Sequence, residues 1–475
     1  MTTERGLSAA WRSPATWPGY WLTGGLAVCA GYAAAVAIFS HEPVHREWGD
    51  MAAVGYAVAA LAVLAFQGPL IRGGKLARWG VDLALVVSLL GALVVPLSVM
   101  AVRGWRQPEV NVVAQSAAML IHHGTPYAST TALAGTSDPN RYNPYLPVMA
   151  LFGLPRALFG DSALTDPRIW FGLAFLAVFT WALRAAGATD SWRWTLLVVA
   201  SPVIALELAV GGTDVPMVAF LCLGFGLLAS TAKPASPAKP AGTGNPASTG
   251  NPTSTVNSAS LANPASTASS IKSAGTAEPA SSANPGNATH ALILAGVALG
   301  IAAGMKATAW PGLVVAIVLL AARDGWRAAT QFAVIAVAVA AVCVAPFLVH
   351  PKALVVNTIE FPLGLAGIRS AAASPLPGHE ISDLGHAGHT VVVVLLVLTA
   401  VAVAATLLIR PPRTVPRAVF LLVWAMSLMF LLAPSTRFGY FIYPGTLALW
   451  LVAITAGRQA GRRPGARQMT TSRRA

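Results

Sequence analysis

The sequence predicts an all-α polytopic membrane protein, and three observations carry that prediction. Hydrophobic residues make up 55% of its 475 positions, and charged residues make up only 10%. The mean hydropathy is +0.64. The apolar residues also fall into separate runs of the length that crosses a bilayer as a helix, about 20 residues. Because a soluble domain cannot bury this much apolar surface, we expect the chain to lie in the lipid bilayer.

Twelve apolar runs predict about 12 transmembrane helices. They cover residues 18–39, 51–71, 80–102, 168–185, 195–210, 214–231, 290–305, 309–322, 327–348, 390–410, 416–433 and 438–457. A further apolar run, from Tyr145 to Phe159, is short and is interrupted by Pro147 and Pro155. This run predicts a juxtamembrane or re-entrant helix whose two ends lie on the same face of the membrane.

The distribution of basic residues predicts which loops lie inside. With the N-terminus in the cytoplasm, most of the 31 lysines and arginines fall on the inner side, including Arg410, Arg413 and the Arg-rich tail. Counting residues 145–159 as a span would move those arginines outside. The positive-inside rule therefore favours twelve spans with both termini cytoplasmic. The first apolar run is long and lacks an A-x-A-like cleavage site, so we expect it to remain as an anchor.

One segment differs in composition from everything around it. Residues 233–287 consist mostly of Pro, Ala, Ser, Thr, Gly and Asn, with one leucine, one valine and one isoleucine. Such a segment cannot bury enough apolar surface to fold, so it predicts a disordered cytoplasmic linker. An inserted spacer is the favoured interpretation, and a tethering or docking role is the alternative.

These features give a predicted order of parts along the chain. They are a cytoplasmic N-terminus (1–17), three transmembrane helices (18–102), an outer loop with a juxtamembrane helix (103–167), helices four to six (168–231), the linker (232–289), helices seven to nine (290–348), a second outer loop (349–389), helices ten to twelve (390–457) and a basic cytoplasmic tail (458–475).

The cysteines and the net charge exclude some classes of protein. Cys29, Cys222 and Cys343 lie inside apolar runs without C-x-x-C spacing, so they predict packing residues and neither a disulfide framework nor a zinc site. In a membrane protein, the net charge of +14 is read first as an excess of basic residues on the inner side of the membrane, and no nucleic-acid partner is expected.

Polar and ionisable residues gather on the predicted outer side, where they are candidates for function because charge at membrane depth is costly. The candidates are Glu109, His122, His123, Arg141, Tyr142, Glu207, Asp214, Lys306, His350, Glu360, His379, Glu380, Asp383, His386, His389, Arg437, Tyr440 and Tyr443. The predicted inner side offers basic flanks and the linker. The active or binding face is therefore predicted to be the outer one.

Several of these residues have structural alternatives. Asp214, beside two glycines, can cap the next helix or hold a substrate. Lys306 can extend to the membrane interface or bind phosphate. His386 and His389 are close in sequence, but without helical spacing they predict solvated side chains rather than a metal site. Glu109 taken alone favours a structural role at a helix terminus.

The ordered motifs add a resemblance. They are the acid Glu109, the G-x-P-Y of Gly124–Tyr127, the aromatic-proline run Tyr142–Pro147, the pair Ser201–Pro202, GGTDVP from Gly211, the glycine-spaced run Gly296–Lys306, FPLG from Phe361, SPLPGH from Ser374 and APSTRFGY from Ala433. In this order they resemble the GT-C class of membrane glycosyltransferases, most nearly the actinobacterial, α-mannosyltransferase-like members of glycosyltransferase family 87. The family usually has aspartate where this chain has Glu109, and its simplest layout has two fewer spans before the catalytic loop.

The resemblance implies a GT-C-like fold and transfer of a hexose, commonly mannose, from a polyprenyl-phosphate-linked donor to an acceptor at the outer face, with inversion. Glu109 would be the general base. Lys306, Arg437 and His379 would bind the donor phosphate. Sugar and lipid would contact Tyr142, Tyr145, Glu207, Asp214, Trp310 and Tyr440. No metal and no cofactor are expected.

Two other functions remain open. A transporter or flippase of a lipid-linked glycan predicts inverted repeats and broken helices with polar groups near the bilayer midplane. A binding or scaffolding protein would use the linker as its working part, which leaves the outer acids unexplained.

Overall fold

The fold is almost entirely helical. The structure, a computed structural model, describes residues 19–65, 75–231, 285–362, 365–368 and 372–460. Its α-helices are α1 (Gly19–Phe39), α2 (Pro43–Ala65), α3 (Lys75–Leu89), α4 (Val95–Arg103), α5 (Pro108–His123), α6 (Thr130–Leu133), α7 (Leu154–Phe159), α8 (Pro167–Ala185), α9 (Ser191–Val199), α10 (Pro202–Val210), α11 (Val215–Ser230), α12 (Pro285–Met305), α13 (Trp310–Asp324), α14 (Trp326–Val344), α15 (Pro351–Val355), α16 (Pro377–Ser382), α17 (His386–Ile409), α18 (Val415–Leu432) and α19 (Ile442–Ala460).

Shorter turns of helix join several of these elements. The 3₁₀ segments are Pro139–Arg141, Pro147–Gly153, Ala163–Thr165, Ala307–Ala309, Ala345–Val349 and Phe438–Phe441, and the π-helical segments are Leu90–Val94 and Val356–Glu360. The described residues contain no strand, only a bridge between Ala373 and Thr436.

The helices confirm the all-α, polytopic class. Ten helical stretches in the described part of the chain are long and apolar enough to cross a membrane. The pair α9 and α10 adds an eleventh if it forms one span, although the two helices are bent by 61°. Helix α11 is apolar but has only 16 residues. Helices therefore occupy all twelve predicted positions, and the count of twelve spans itself stays a prediction.

Several element boundaries differ from the predictions. The predicted span 195–210 is two helices, α9 and α10, and helices α12 and α17 begin at Pro285 and His386, earlier than the predicted residues 290 and 390. Helix α2 begins at Pro43, earlier than the predicted residue 51, because the polar residues before the apolar run continue the same helix. Residues 145–159 form the 3₁₀ segment Pro147–Gly153 followed by α7. The predicted N-terminal segment and most of the linker lie outside the described residues, and residues 285–289 of the linker belong to α12.

Helix α11 forms the centre of the bundle. Almost all of its side chains are buried, including Cys222 and Phe225. A helix that is apolar on every side must be covered on every side, and α8 and α12 supply much of that cover. Asp214, one of the predicted site residues, directly precedes the N-terminal end of this enclosed helix.

A buried ion pair ties the segment before α5 to the end of α10. Arg168, at the start of α8, forms two hydrogen bonds with Asp166, each of 2.9 Å, and both side chains are 0–1% exposed. Its Nη1 also donates to the carbonyls of Trp105 at 2.8 Å and Ala209 at 2.5 Å. Arg168 thereby joins the residues that precede α5 to the end of α10.

We expect Arg168→Met to destabilise the protein strongly, because it leaves the Asp166 carboxylate and two carbonyls buried without their donor. Loss of one partner of a buried pair costs about 3–5 kcal/mol. The thermal unfolding midpoint in detergent should fall markedly. Arg184→Met, at the exposed end of the same helix, is the matched control and should leave the midpoint nearly unchanged.

The same pair sets a pH dependence. Burial, the largest effect on Asp166, raises its pKa, but the hydrogen bonds and charge of Arg168 together hold the pKa below the ordinary value of 3.8. The stabilisation is therefore present at neutral pH and is lost as the pH falls below 3.8. An acid-stability curve that is identical for the wild type and Asp166→Asn would contradict this account.

Candidate active site

The predicted base Glu109 meets the predicted phosphate ligand Arg437. Glu109 lies in the first turn of α5, where the helix dipole favours an acid. Nη1 of Arg437 donates to Oε1 of Glu109, and the two side chains are 32% and 21% exposed. Oε2 of Glu109 is buried and has no hydrogen-bond partner among the described residues. One carboxylate oxygen of Glu109 is therefore paired with a cation, and the other has no hydrogen-bond partner among the described residues.

This ion pair keeps Arg437 charged. Burial alone would lower the pKa of the guanidinium, but the charge and the hydrogen bond of Glu109 raise it above its ordinary value. Arg437 follows the loop that leaves α18, so its position depends on the packing of the last two helices.

Lys306 and Asp214 form a second ion pair. Nζ of Lys306 donates to Oδ1 of Asp214 and, at 2.8 Å, to the hydroxyl of Thr213. Both charged side chains are only 11% exposed. Asp214 stands at the N-cap position of α11 but makes no capping hydrogen bond through its side chain. The geometry therefore favours a paired site over both structural alternatives, a helix cap for Asp214 and an interfacial position for Lys306.

Tyr145 covers this second pair. Nζ of Lys306 lies 4.6 Å from the centroid of its ring, in the arrangement of a cation–π interaction. Burial is the largest of the effects that raise the pKa of the Tyr145 phenol well above 10, so the ring stays neutral. The backbone N–H of Leu146 donates to the carbonyl of Met305 at 2.9 Å, which holds Tyr145 beside the end of α12.

Tyr443 and Thr308 extend the network; Tyr443 was among the predicted outer-side candidates but had no predicted role in binding or catalysis. The Tyr443 hydroxyl donates to Oδ1 of Asp214 and lies 2.8 Å from the hydroxyl of Thr308. Tyr443 is completely buried. It therefore links Asp214 to the hairpin that also carries Arg437.

Glu207 and Tyr440 lie beside both ion pairs. Tyr440 is within electrostatic range of Asp214, Arg437, Glu109 and Glu207. A Cβ atom on Gly439 would lie 2.5 Å from Oε1 of Glu207, so only glycine permits this approach.

The backbone break after α10 also requires glycine. Gly211 has a φ of 149°, and a Cβ atom there would lie 2.6 Å from Cγ2 of Val110. The break lies between Glu207 on α10 and Asp214 before α11. This close approach places it against the first turn of α5, which carries Glu109.

His45 is a neighbour of the site that sequence reasoning missed. Its Nε2 lies 2.7 Å from Nε2 of Gln107, whose backbone N–H donates to the carbonyl of Val210 at 2.8 Å. His45 is also within electrostatic range of Glu109 and Arg437. It was predicted to lie in a loop before the second span, so the only sequence signal was a histidine near an apolar run.

Three predicted ligands lie outside this set of contacts. Tyr142 is buried and stacks on Phe361 with 4.7 Å between ring centroids. Trp310 is 54% exposed and donates its indole N–H to the carbonyl of Ala303. His379 contacts the carbonyl of Pro434 at 3.0 Å, in the loop that leads to Arg437. Their predicted roles stay predictions.

The assembled residues offer carboxylates and cations at one end of the bundle. Two of the acids, Glu109 and Asp214, are paired with Arg437 and Lys306, and Glu207 is within electrostatic range of both pairs. Such a site can accept a proton and bind an anionic group in a setting with little water, where each charge has a larger effect than in solution. Among the described residues, no group of three or more His, Cys, Asp or Glu is placed to hold a metal ion.

Comparison with known proteins adds little to this picture. No protein-family model matches the chain, and no curated protein sequence matches it. The chain is similar to the crystal structure of ArnT from Cupriavidus metallidurans in the apo state, with 15% identity and a TM-score of 0.43. The match covers 82% of this chain and 61% of that one, so this chain spans less than two thirds of that structure. A likeness of this degree carries no conclusion about function.

We expect Lys306→Met and Asp214→Asn each to destabilise the protein, and the double variant to be less destabilised than the sum of the two. Each single change leaves a buried charge or its hydrogen-bonding partner unpaired, at a cost of about 3–5 kcal/mol for a buried ion pair. Thermal midpoints of the four proteins in detergent measure the coupling. Strictly additive effects would show that the two side chains do not interact.

We expect Gly439→Ala to reduce activity more than tenfold while the protein still folds. The added methyl group must displace Glu207 or the segment that carries Arg437 and Tyr440, and displacements of about 1 Å in a catalytic site can cost about a hundredfold. Gly31→Ala is the matched control, because a Cβ atom at that position meets no atom within 4 Å. Equal activity of the two variants would show that the approach of Gly439 to Glu207 is unimportant.

Proposed function

We propose that the protein is a GT-C-class membrane glycosyltransferase. It transfers a hexose, most simply mannose, from a polyprenyl-phosphate-linked donor to a glycolipid, glycan or protein acceptor at the outer face of the cell membrane, with both termini in the cytoplasm. The observation that carries this proposal is the pairing of Glu109, whose second carboxylate oxygen has no hydrogen-bond partner among the described residues, with the half-buried cation Arg437.

The proposed reaction is an inverting displacement. The acceptor hydroxyl oxygen forms a bond to the anomeric carbon, and the bond from that carbon to the phosphate oxygen breaks. Oε2 of Glu109 takes the hydroxyl proton, since it is the carboxylate oxygen without a partner. The polyprenyl phosphate leaves with the electron pair, and Arg437 and Lys306 stabilise its charge. The reaction balances without any further reactant.

The ion pairs suggest how the donor prepares the site. In the structure, Arg437 is bound by Glu109, and Lys306 is bound by Asp214. A donor phosphate competes for these cations. When Arg437 turns to the phosphate, Glu109 loses its partner, and both of its carboxylate oxygens are free to accept the proton of the acceptor hydroxyl. The donor therefore binds before the acceptor in this mechanism.

The remaining residues have proposed roles in binding. Asp214 and Glu207 accept hydrogen bonds from sugar hydroxyls, and Tyr145 and Tyr440 cover the sugar. Tyr142 and Trp310 contact sugar or isoprenoid, which requires that they approach the ion pairs on binding. His379, held by the loop that leads to Arg437, assists with the phosphate.

The alternative that one observation favours is a transporter of a lipid-linked glycan. The 61° bend between α9 and α10 is a broken helix of the kind that transporters use to expose backbone groups. At this bend, however, the carbonyl of Ala200 accepts a hydrogen bond from the hydroxyl of Tyr56 at 2.5 Å, and both residues are buried. A satisfied, buried carbonyl supports the transferase over the transporter.

The deciding experiment compares Glu109→Gln with the wild type in a transfer assay. Purified protein receives radiolabelled polyprenyl-phosphate mannose and candidate lipid acceptors. The variant should transfer at least about a hundredfold more slowly, since general-base catalysis contributes about 10²–10⁴-fold.

Asp50→Asn, which neutralises an exposed acid on α2, is the matched control and should retain activity. Equal rates for Glu109→Gln and the wild type would remove Glu109 as the base. Translocation of labelled lipid without sugar transfer from any polyprenyl-phosphate donor would replace the transferase with the transporter.

A further inference from the structure

The end of the last helical hairpin opposite the candidate active site carries a groove between α18 and α19. The groove has a volume of about 440 Å³ and is lined by Pro416, Arg417, Phe420, Leu451, Val452 and Thr455. Its walls are mostly apolar. Phe420 is 55% exposed, and its ring meets that of Trp424 edge to face at 6.2 Å. The groove is therefore mostly apolar and open at the protein surface.

Three arginines lie close together in sequence at this end of the hairpin, and one of them, Arg417, lines the groove. Arg410, Arg413 and Arg417 fall within eight residues, at the turn between α17 and α18, and all three are exposed. None of them forms an ion pair with another described residue. The first turn of α18 contains no acidic residue. The turn is thus a concentrated positive charge without a counter-charge from the described protein.

We propose that this groove binds one anionic phospholipid, with its phosphate on Arg413 and Arg417 and an acyl chain between α18 and α19. The two halves of the site match the two halves of such a lipid: arginine guanidinium groups suit a phosphate, and Phe420, Leu451 and Val452 suit a hydrocarbon chain. The predicted sidedness places the turn at the cytoplasmic leaflet, which is the anionic one in cells.

The site lies on the same hairpin as the active-site arginine. The groove lies where α18 begins and α19 ends. The loop that joins the other ends of these two helices carries Arg437. A lipid that holds the two helices together at one end restrains the hairpin that presents Arg437 at the other. The site does not depend on the proposed transferase activity.

The test measures lipid retention by the full-length protein in detergent micelles, with radiolabelled phosphatidylglycerol and with phosphatidylcholine of the same acyl chains. The wild type should retain phosphatidylglycerol in preference. Each arginine near an anionic lipid surface contributes about fivefold in affinity, so Arg413→Gln/Arg417→Gln should lower retention more than tenfold.

Two further variants distinguish lipid binding in this groove from general electrostatic attraction between the lipid and the protein. Val452→Trp fills the groove without changing the charge and should also abolish the preference. Arg327→Gln removes an exposed arginine from the start of α14, away from the groove, and should retain the lipid as the wild type does. Thermal midpoints confirm that each variant is folded.

The proposal is overturned by any of three results. Equal retention of the two lipids by the wild type would show that no anionic lipid is selected. An unchanged preference in Val452→Trp would show that the groove holds no chain. An equal loss in Arg327→Gln would show attraction by overall charge rather than binding at this turn.

Discussion

The arrangement of the candidate site depends on one buried arginine. Arg168 is held by Asp166 on one side and by two backbone carbonyls, of Trp105 and Ala209, on the other. The first carbonyl belongs to the segment that enters α5, and the second to the end of α10. A guanidinium group that is removed from water must find acceptors for its N–H groups within the protein. If these two segments separated, Arg168 would lose hydrogen bonds that water does not replace. The first turn of α5, which carries Glu109, is therefore held against the break that carries Asp214.

A second constraint follows from placing acids and cations in the same enclosed volume. In the structure, Glu109 and Asp214 each have a cation as a partner, and this mutual neutralisation lowers the free-energy cost of placing the charged cluster in apolar surroundings. An anionic substrate can enter only by replacing one of these partners. Under the proposed function, the donor phosphate replaces the carboxylates as the partner of Arg437 and Lys306. The ion pairs that stabilise the site therefore involve the same residues as catalysis.

The fold could be predicted further than the site. Apolar runs report helices directly, and helices occupy all twelve predicted positions. The start of α2 was placed too late because hydropathy shows only where a helix is apolar, while its hydrogen bonds continue through polar residues. In the site, the residue types were recognisable, but Glu109 and Arg437 were assigned separate roles. Nothing in a local pattern indicates that two residues 328 positions apart form an ion pair.

The sequence by itself determined the class of the protein, the positions of its helices and the polar residues that stand out among them, because composition and hydropathy are properties of short stretches of chain. Only the tertiary structure decided which of these residues meet. It joined Lys306 to Asp214, brought the buried Tyr443 to the same carboxylate and placed Arg168 at the junction of two segments. The physical reason is that helix packing sets these contacts, and packing depends on the shapes of surfaces distant in sequence.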